Sequence, residues 1–298
     1  MDQDSKRIKD LYVKTALHFH TSEMPCHWDV NAYRGCGHGC RYCFAQYTHE
    51  YMEAGNFFDH IFVKRNIAEI LDKELGKKSW GKHRINLSGV TDAYQPLEAR
   101  MKLMPLLWKV LIKHKNPVIL STKSSLILRD IELISELASL TSVCITCSIT
   151  IVDEKLRCLM EPGAAPASER FKVLETFGKS GCRTSVLLTP VMPGINDSME
   201  NLDAIYRKSA EAGVSGISPW PLNLRGNTKS RFFSFLKLHF PELLPRYQQL
   251  FKGWHVEKSY SDELREKVLL LRKKYEIPGV SLPPEDRKIS AVQLSLFD

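Results

Sequence analysis

The chain has 298 residues, 43% hydrophobic and 26% charged, a globular balance that excludes disorder throughout. Lys and Arg number 42 against 34 Asp and Glu, so the net charge of +8 admits an anionic partner such as nucleic acid without requiring one. No run approaches the ~18 apolar residues of a membrane span. The polar start Met1–Tyr12 also lacks the apolar core of a secretion signal, so the expectation is a cytoplasmic protein with reduced thiols.

Short β-branched runs alternate with helical patterns along the chain. A strand is expected near Asp29–Arg34, and a helix over Phe62–Leu75. Strand Ile85–Ser88 precedes helix Leu103–His114, and strand Val118–Thr122 precedes helix Asp130–Ala138. Strand Ser142–Thr150 precedes helix Ala167–Lys179, strand Thr184–Leu188 precedes helix Ser198–Ala212, and strand Gly216–Ser218 closes the series. About six βα units are too few for a closed barrel of ~250 residues, so the fold class expected is α/β, a partial (β/α)6 TIM-like barrel. Polar and Gly/Pro-rich loops follow each strand (GCGHGC, SGVTDAYQP, STKSS, SITIVDE, TPVMPGIND, SPWPLN). Parallel α/β folds build their active sites at those carboxyl ends.

After Asn223 the pattern changes. Arg225–Lys237 is basic and aromatic, and helices are expected at about Pro241–Phe251 and Ser261–Lys274. Pro278, Pro283 and Pro284 then break the chain into a tail. The organisation expected is an N-terminal segment (1–27), a barrel core (28–225), a helical extension (226–277) and a tail (278–298).

Cys36, Cys40 and Cys43 form C-x3-C-x2-C on a loop in which Gly35, Gly37 and Gly39 allow tight turning. Three thiolates suit a [4Fe–4S] cluster, leaving one iron open to a substrate. They suit a structural zinc equally in kind, with His27 or His38 as fourth ligand. The zinc alternative implies a non-catalytic, nucleic-acid-binding adaptor.

The string YRGCxHGCxYCFA, followed by SGVTDAYQPLE, STKS, SITxxDE, EPG and TPVMPGIND, resembles the radical S-adenosylmethionine (radical SAM) enzymes, within them the spore photoproduct lyase-like group related to DNA repair. The resemblance covers about residues 28–225 and implies that Cys36, Cys40 and Cys43 bind a [4Fe–4S] cluster. The fourth iron then takes the amino and carboxylate groups of S-adenosylmethionine. One electron from an external donor cleaves a C–S bond, yielding a 5′-deoxyadenosyl radical that abstracts hydrogen from substrate.

By the same resemblance Tyr42 lies where the family sets an aromatic against adenine. Ser88, Gly89, Thr91 and Asp92 occupy the cofactor-amino loop, and Lys123 in STKS is placed to pair with the cofactor carboxylate. Alternation puts Cys144, Thr146, Ser148 and Thr150 on one strand face, with Ile145, Cys147, Ile149 and Ile151 on the other. Ser148 matches the family's ribose- or carboxylate-contacting serine. Arg157 and Glu161 are expected near the ribose edge, and Gly194 and Asn196 beside the adenine pocket.

The sequence departs from the spore lyases at one point. Their hydrogen-donating Cys falls in the loop that here reads SGVTDAYQP, and no Cys is present. Cys144 and Tyr94 are the substitute candidates, and dimer reversal does not carry over. The substrate expected is DNA, in repair or modification, with RNA or protein as alternatives.

Two further features concern partners. Arg225, Lys229, Arg231, Phe232 and Phe233 mix charge with aromatics, as nucleic-acid surfaces do. Gln293-Leu294-Ser295-Leu296-Phe297 resembles the peptide by which bacterial repair and replication proteins bind the sliding clamp. There Gln293, Leu294, Leu296 and Phe297 would make the contacts.

Overall fold

The alternating runs form strands that stay in chain order. A computed structural model describes residues 7–21, 26–52 and 55–280. Its strands are β1 (Arg7–Leu11), β2 (His18–Phe19), β3 (Trp28–Asp29), β4 (Tyr33–Arg34), β5 (His60–Lys64), β6 (Ile85–Asn86), β7 (Val118–Thr122), β8 (Val143–Ser148), β9 (Arg183–Val191) and β10 (Ile217–Pro221). The helices are α1 (Ile67–Leu75), α2 (Glu98–Met101), α3 (Leu103–His114), α4 (Ile131–Leu140), α5 (Glu154–Met160), α6 (Ala167–Lys179), α7 (Met199–Glu211), α8 (Thr228–His239), α9 (Leu244–Leu250) and α10 (Lys258–Tyr275).

The large sheet has the order β10-β9-β8-β7-β6-β3-β2. From β3 to β10 every neighbouring pair is parallel, and β2 lies antiparallel on β3 at the edge. These six parallel strands in sequence order are the expected (β/α)6 core. The strands β10 and β2 stand at opposite ends of the order, so the sheet is open.

Two expectations are corrected. The segment expected as one strand near Asp29–Arg34 is two short strands in different sheets. Phe62–Lys64, expected as the start of a helix, is instead part of β5. That strand pairs parallel with β1 and antiparallel with β4 in a second, three-stranded sheet. Its partners lie far away in sequence, so no local pattern announces it. The N-terminal residues thus supply one strand to each sheet. Helix α1 begins only at Ile67, from which Ile67, Leu71 and Leu75 form the buried stripe.

The main core lies between the large sheet and its helices. Val118, Leu120, Ile145, Cys147, Ile149, Val186 and Leu188 face that layer and are buried. Each such side chain contributes roughly 1.5–3 kcal/mol of burial. The opposite, concave face carries polar residues instead, with Thr146 and Ser185 joined by a 2.8 Å hydroxyl contact. The same core continues into the C-terminal helices through Phe232, Leu236, Tyr247, Tyr260, Leu264 and Val268. Among the described residues no helix is long and apolar enough to cross a membrane.

Candidate active site

The cysteine loop leaves the carboxyl end of β4 and enters the 3-10 segment Phe44–Met52. Gly35 has φ +83° and lies against the carbonyls of His60 and Phe57, so a side chain has no room there. Gln95, fully buried, clamps the loop from the β6 side. It donates to the Gly35 carbonyl at 3.1 Å and accepts from the Gly37 amide at 2.8 Å.

His38 is tied at both nitrogens. Nδ1 lies 2.8 Å from the Gly163 carbonyl, and Nε2 lies 3.0 Å from Oδ2 of Asp92. Asp92 also accepts from the Tyr94 amide at 2.9 Å, the Thr122 hydroxyl at 2.7 Å and the Lys123 amide at 2.7 Å. Burial works to raise the Asp92 carboxyl, yet the His38 charge and these donors outweigh it and hold it down at about 2. Asp92 therefore joins the loops after β4, β6 and β7, and its oxygens are engaged within the protein. The Thr91 hydroxyl beside it is buried without a hydrogen-bond partner among the described residues.

Cys36 and Cys40 are buried, Cys43 is half-buried, and all three are free thiols. Burial is the main reason each thiol is pushed up to about 12. The neighbouring cysteines add to the shift, while Lys123 opposes it at Cys40 and Cys43. The Lys123 ammonium sits 5.8 Å from the centre of the Tyr42 ring. It makes no salt bridge among the described residues. Burial would lower Lys123, but the negative fields of Cys40 and Glu161 prevail and its pKa is raised.

Tyr42, Glu161 and Arg170 form a buried chain. The Tyr42 hydroxyl donates to Glu161 Oε1, and Arg170 Nη2 donates to Oε2 at 2.5 Å. Arg170 also holds the Ser148 and Ala165 carbonyls at 2.7 and 2.8 Å. Arg157 is paired with Glu154 at 2.6 Å and donates to the Glu161 and Ala164 carbonyls. Expected at a ribose edge, Glu161 and Arg157 instead brace Tyr42 and the EPG turn. Gly163 in that turn packs on the cysteine loop so closely that an added Cβ would lie 2.7 Å from the Gly37 carbonyl.

Other expected residues separate. Ser148 ends β8 at the site, whereas Cys144, on the same face, lies four residues back, about 13 Å at strand rise. The strand thus carries Cys144 toward the amino end. Tyr94 is fully buried, donates to Asp130 at 2.8 Å and accepts from Trp108 at 2.7 Å, which places it in the core. Gly89 packs against the Asp29 carboxylate, and Ser88 accepts from the Ala93 amide at 3.4 Å. Gly194 has φ +74° and faces Leu243 of the extension, while Asn196 ties the Thr150 and Pro190 carbonyls at 3.0 and 3.1 Å. A cavity of about 630 Å³ is lined by Glu175, Arg183 and Glu211 at the opposite, amino end of the strands.

Of the expected nucleic-acid residues, four are engaged with other groups of the protein. Lys229 donates to the Phe251 carbonyl at 2.7 Å, Arg231 donates to Gln46 at 2.8 Å, Phe232 is buried, and Phe233 packs on Tyr247. Arg225 is exposed. Its guanidinium lies 5.1 Å from the Tyr47 ring and 5.4 Å from the Trp254 ring. Residues 293–297 lie outside the described residues.

A polar concave sheet with a three-thiol loop at its carboxyl end defines a class of metal-dependent α/β enzyme. The chain belongs to the radical SAM superfamily, whose family model matches residues 30–204. An uncharacterized protein of Mycobacterium tuberculosis (strain H37Rv) is 35% identical over 99% of this chain and 89% of its own length. An uncharacterized protein of Acidianus two-tailed virus is 26% identical over 86% of this chain and 83% of its own. Spore photoproduct lyase in complex with dinucleoside spore photoproduct matches the fold with a TM-score of 0.67 at 14% identity, over 90% of this chain and 79% of that one. A lyase mutant with bound AdoMet matches with a TM-score of 0.65 at 14% identity, over the same shares.

The family implies a [4Fe–4S] cluster and S-adenosylmethionine, and the residues present fit both. The three free thiols share one loop and each other's electrostatic field. Among the described residues no three His, Cys, Asp or Glu side chains close on a single-ion position. A cube, by contrast, offers each thiolate its own iron. His38, the nearer candidate for a fourth zinc ligand, has Nδ1 at the Gly163 carbonyl and Nε2 turned to the Asp92 carboxylate at 3.0 Å. The orphaned Thr91 hydroxyl and the cation of Lys123 stand ready for a polar ligand.

Proposed function

We propose that this radical SAM enzyme acts on nucleic acid, DNA in the first instance, in repair or modification. The observation that carries the reading is the exposed Arg225 held between the Tyr47 and Trp254 rings. This platform lies on the loop after β10, beside the segment that follows the cysteine loop. Cationic and aromatic groups together suit phosphate and stacked bases. The complex of the structurally similar lyase with a dinucleoside photoproduct supports the same substrate class.

In this reading Cys36, Cys40 and Cys43 hold the cluster, Lys123 pairs with the cofactor carboxylate, and Thr91 and Ser148 meet its polar groups. Tyr42 stacks on the adenine, held by Glu161. When bound, the cluster and cofactor supply a carbon radical after one-electron reduction by an external donor. The protein's task is to orient the cofactor and keep water from the radical. A cytoplasmic setting suits the reduced thiols.

The test is 5′-deoxyadenosine release by anaerobically reconstituted protein, given dithionite and S-adenosylmethionine. It is run with no polymer, intact DNA, ultraviolet-damaged DNA, RNA and a protein mixture. Stimulation by one DNA sample is expected, and stimulation by RNA or protein alone overturns the DNA reading. Cys40→Ala is expected to lose both iron and release. The tail QLSLF supports recruitment by the sliding clamp. Capture of the clamp is expected to fail once Leu296 and Phe297 are replaced by Ala.

A further inference from the structure

A second polar site lies apart from the cysteine loop. A cavity of about 300 Å³ is lined by Leu11, Val13, Lys14, Thr15, His18, Arg34 and Lys64. Its walls come from β1, β2, β4, β5 and the segment joining β1 to β2. The small sheet's register explains the convergence. Lys64 pairs with Leu11 and Arg34 pairs with Phe62, so Arg34 and Lys64 are two residues apart in register and share one face. The segment after β1 covers that face and buries Lys64 to 3% exposure.

None of the described lining residues is acidic. The Lys64 ammonium makes no hydrogen bond or ion pair among the described residues. A buried, unpaired ammonium is costly, and a second cation beside it makes it more so. Burial first, then the Arg34 charge, lower Lys64 to about 8. Lys14 is exposed at the rim, and the Thr15 hydroxyl adds a neutral donor.

We propose that this cavity binds a phosphate-type oxyanion, supplied either as a free phosphate ester or as a phosphodiester of a polynucleotide. Lys64 offers an unpaired point charge, and Arg34 adds a second fixed positive charge beside it, which together favour a phosphate-type anion. Arg34 lies two residues before Cys36, so the anion would sit at the root of the cysteine loop. The site does not depend on the nucleic-acid reading, because a free phosphate would satisfy it.

The experiment titrates reconstituted holoenzyme with inorganic phosphate, then with a short single-stranded oligonucleotide, following melting temperature and calorimetric heat. Wild type, Lys64→Met and Lys14→Ala are compared. Phosphate is expected to raise the melting temperature of wild type, and Lys64→Met to weaken phosphate at least tenfold with iron content unchanged. Without phosphate, Lys64→Met should melt at or above wild type, since an uncompensated charge is gone. Lys14→Ala, on the exposed rim, keeps the test open if Lys64→Met misfolds, and should weaken phosphate several-fold. Competition between phosphate and oligonucleotide assigns the phosphodiester source, and phosphate binding without competition assigns a free phosphate. Absence of any Lys64- or Lys14-dependent response to either probe overturns the proposal, as does a Lys64→Met protein that folds with full iron content but melts below wild type without phosphate.

Discussion

Glu161 offers the sharpest separation of a structural role from a cofactor contact. It is fully buried, as is its partner Arg170, and their ion pair is 2.5 Å long. Burial works to raise the carboxyl, but the Arg170 and Lys123 charges outweigh it and hold it below its ordinary value. Glu161→Gln keeps the shape, and an oxygen for the Tyr42 hydroxyl, but leaves the guanidinium without a counter-charge. Removing one partner of a buried pair costs about 3–5 kcal/mol. At ~2.1 cal/mol/K per residue the unfolding entropy of this chain is roughly 0.6 kcal/mol/K, so the melting temperature should fall by about 5–8 °C. Glu161→Gln with Arg170→Met should recover part of the loss, because an apolar replacement of both charges is often neutral. Recovery stays incomplete because Arg170 also holds the Ser148 and Ala165 carbonyls. The assay is thermal unfolding of the two variants, beside iron content and titration with S-adenosylmethionine. A Glu161→Gln protein that melts like wild type but binds S-adenosylmethionine more weakly would refute the bracing role.

Gly163→Ala puts a methyl 2.7 Å from the Gly37 carbonyl and 2.9 Å from the His38 Cα. Overpacking of this kind costs about 1–3 kcal/mol, and the cysteine loop is the part expected to move. Iron bound per chain should therefore drop while far-ultraviolet circular dichroism is unchanged; full iron loading contradicts the packing. Lys64 titrates near 8 when folded against an ordinary 10.5, so between those values the unfolded chain holds more protons and stability rises with pH. The gain across that window is about 3 kcal/mol at 1.36 kcal/mol per pH unit. It is absent below pH 8, where both states are charged, and Lys64→Met should lose it; an equal slope in the variant excludes Lys64 as its source. Arg225→Ala and Trp254→Ala should each weaken single-stranded DNA binding by roughly tenfold, within the ~1–3 kcal/mol of a stacked base. Arg225→Ala should also flatten the salt dependence, and unchanged affinity in both variants removes the platform.

The parallel core was legible because its signals are local. Val143–Ser148 alternates between a helix-facing row of Val143, Ile145 and Cys147 and a concave row of Cys144, Thr146 and Ser148, and alternation is a property of consecutive residues. The cysteine loop was legible because its three cysteines lie within eight residues. Gln95 was not singled out, because a glutamine between Tyr94 and Pro96 carries no pattern. Its importance comes from the Gly35 and Gly37 backbone reaching it from 58–60 residues away. Glu161 was legible as a polar residue near the site, but not as a brace, since Tyr42 and Arg170 reach it from other segments.

Read alone, the chain placed three thiols in one loop and polar loops after successive strands of a (β/α)6 core, while the chemistry came from its resemblance to the radical SAM enzymes. These depend on spacing and periodicity, which one stretch of chain contains whole. The tertiary structure decided what each polar residue is free to do. It engaged Asp92 with His38, Glu161 with Arg170 and Tyr94 with Asp130, and left Lys123 and the Thr91 hydroxyl without such partners. It also turned the start of an expected helix into β5, gathering Arg34 and Lys64 into one basic cavity. Pairing across distant segments sets burial and neighbours, and these determine whether a charge or hydroxyl is satisfied within the protein or open to a ligand.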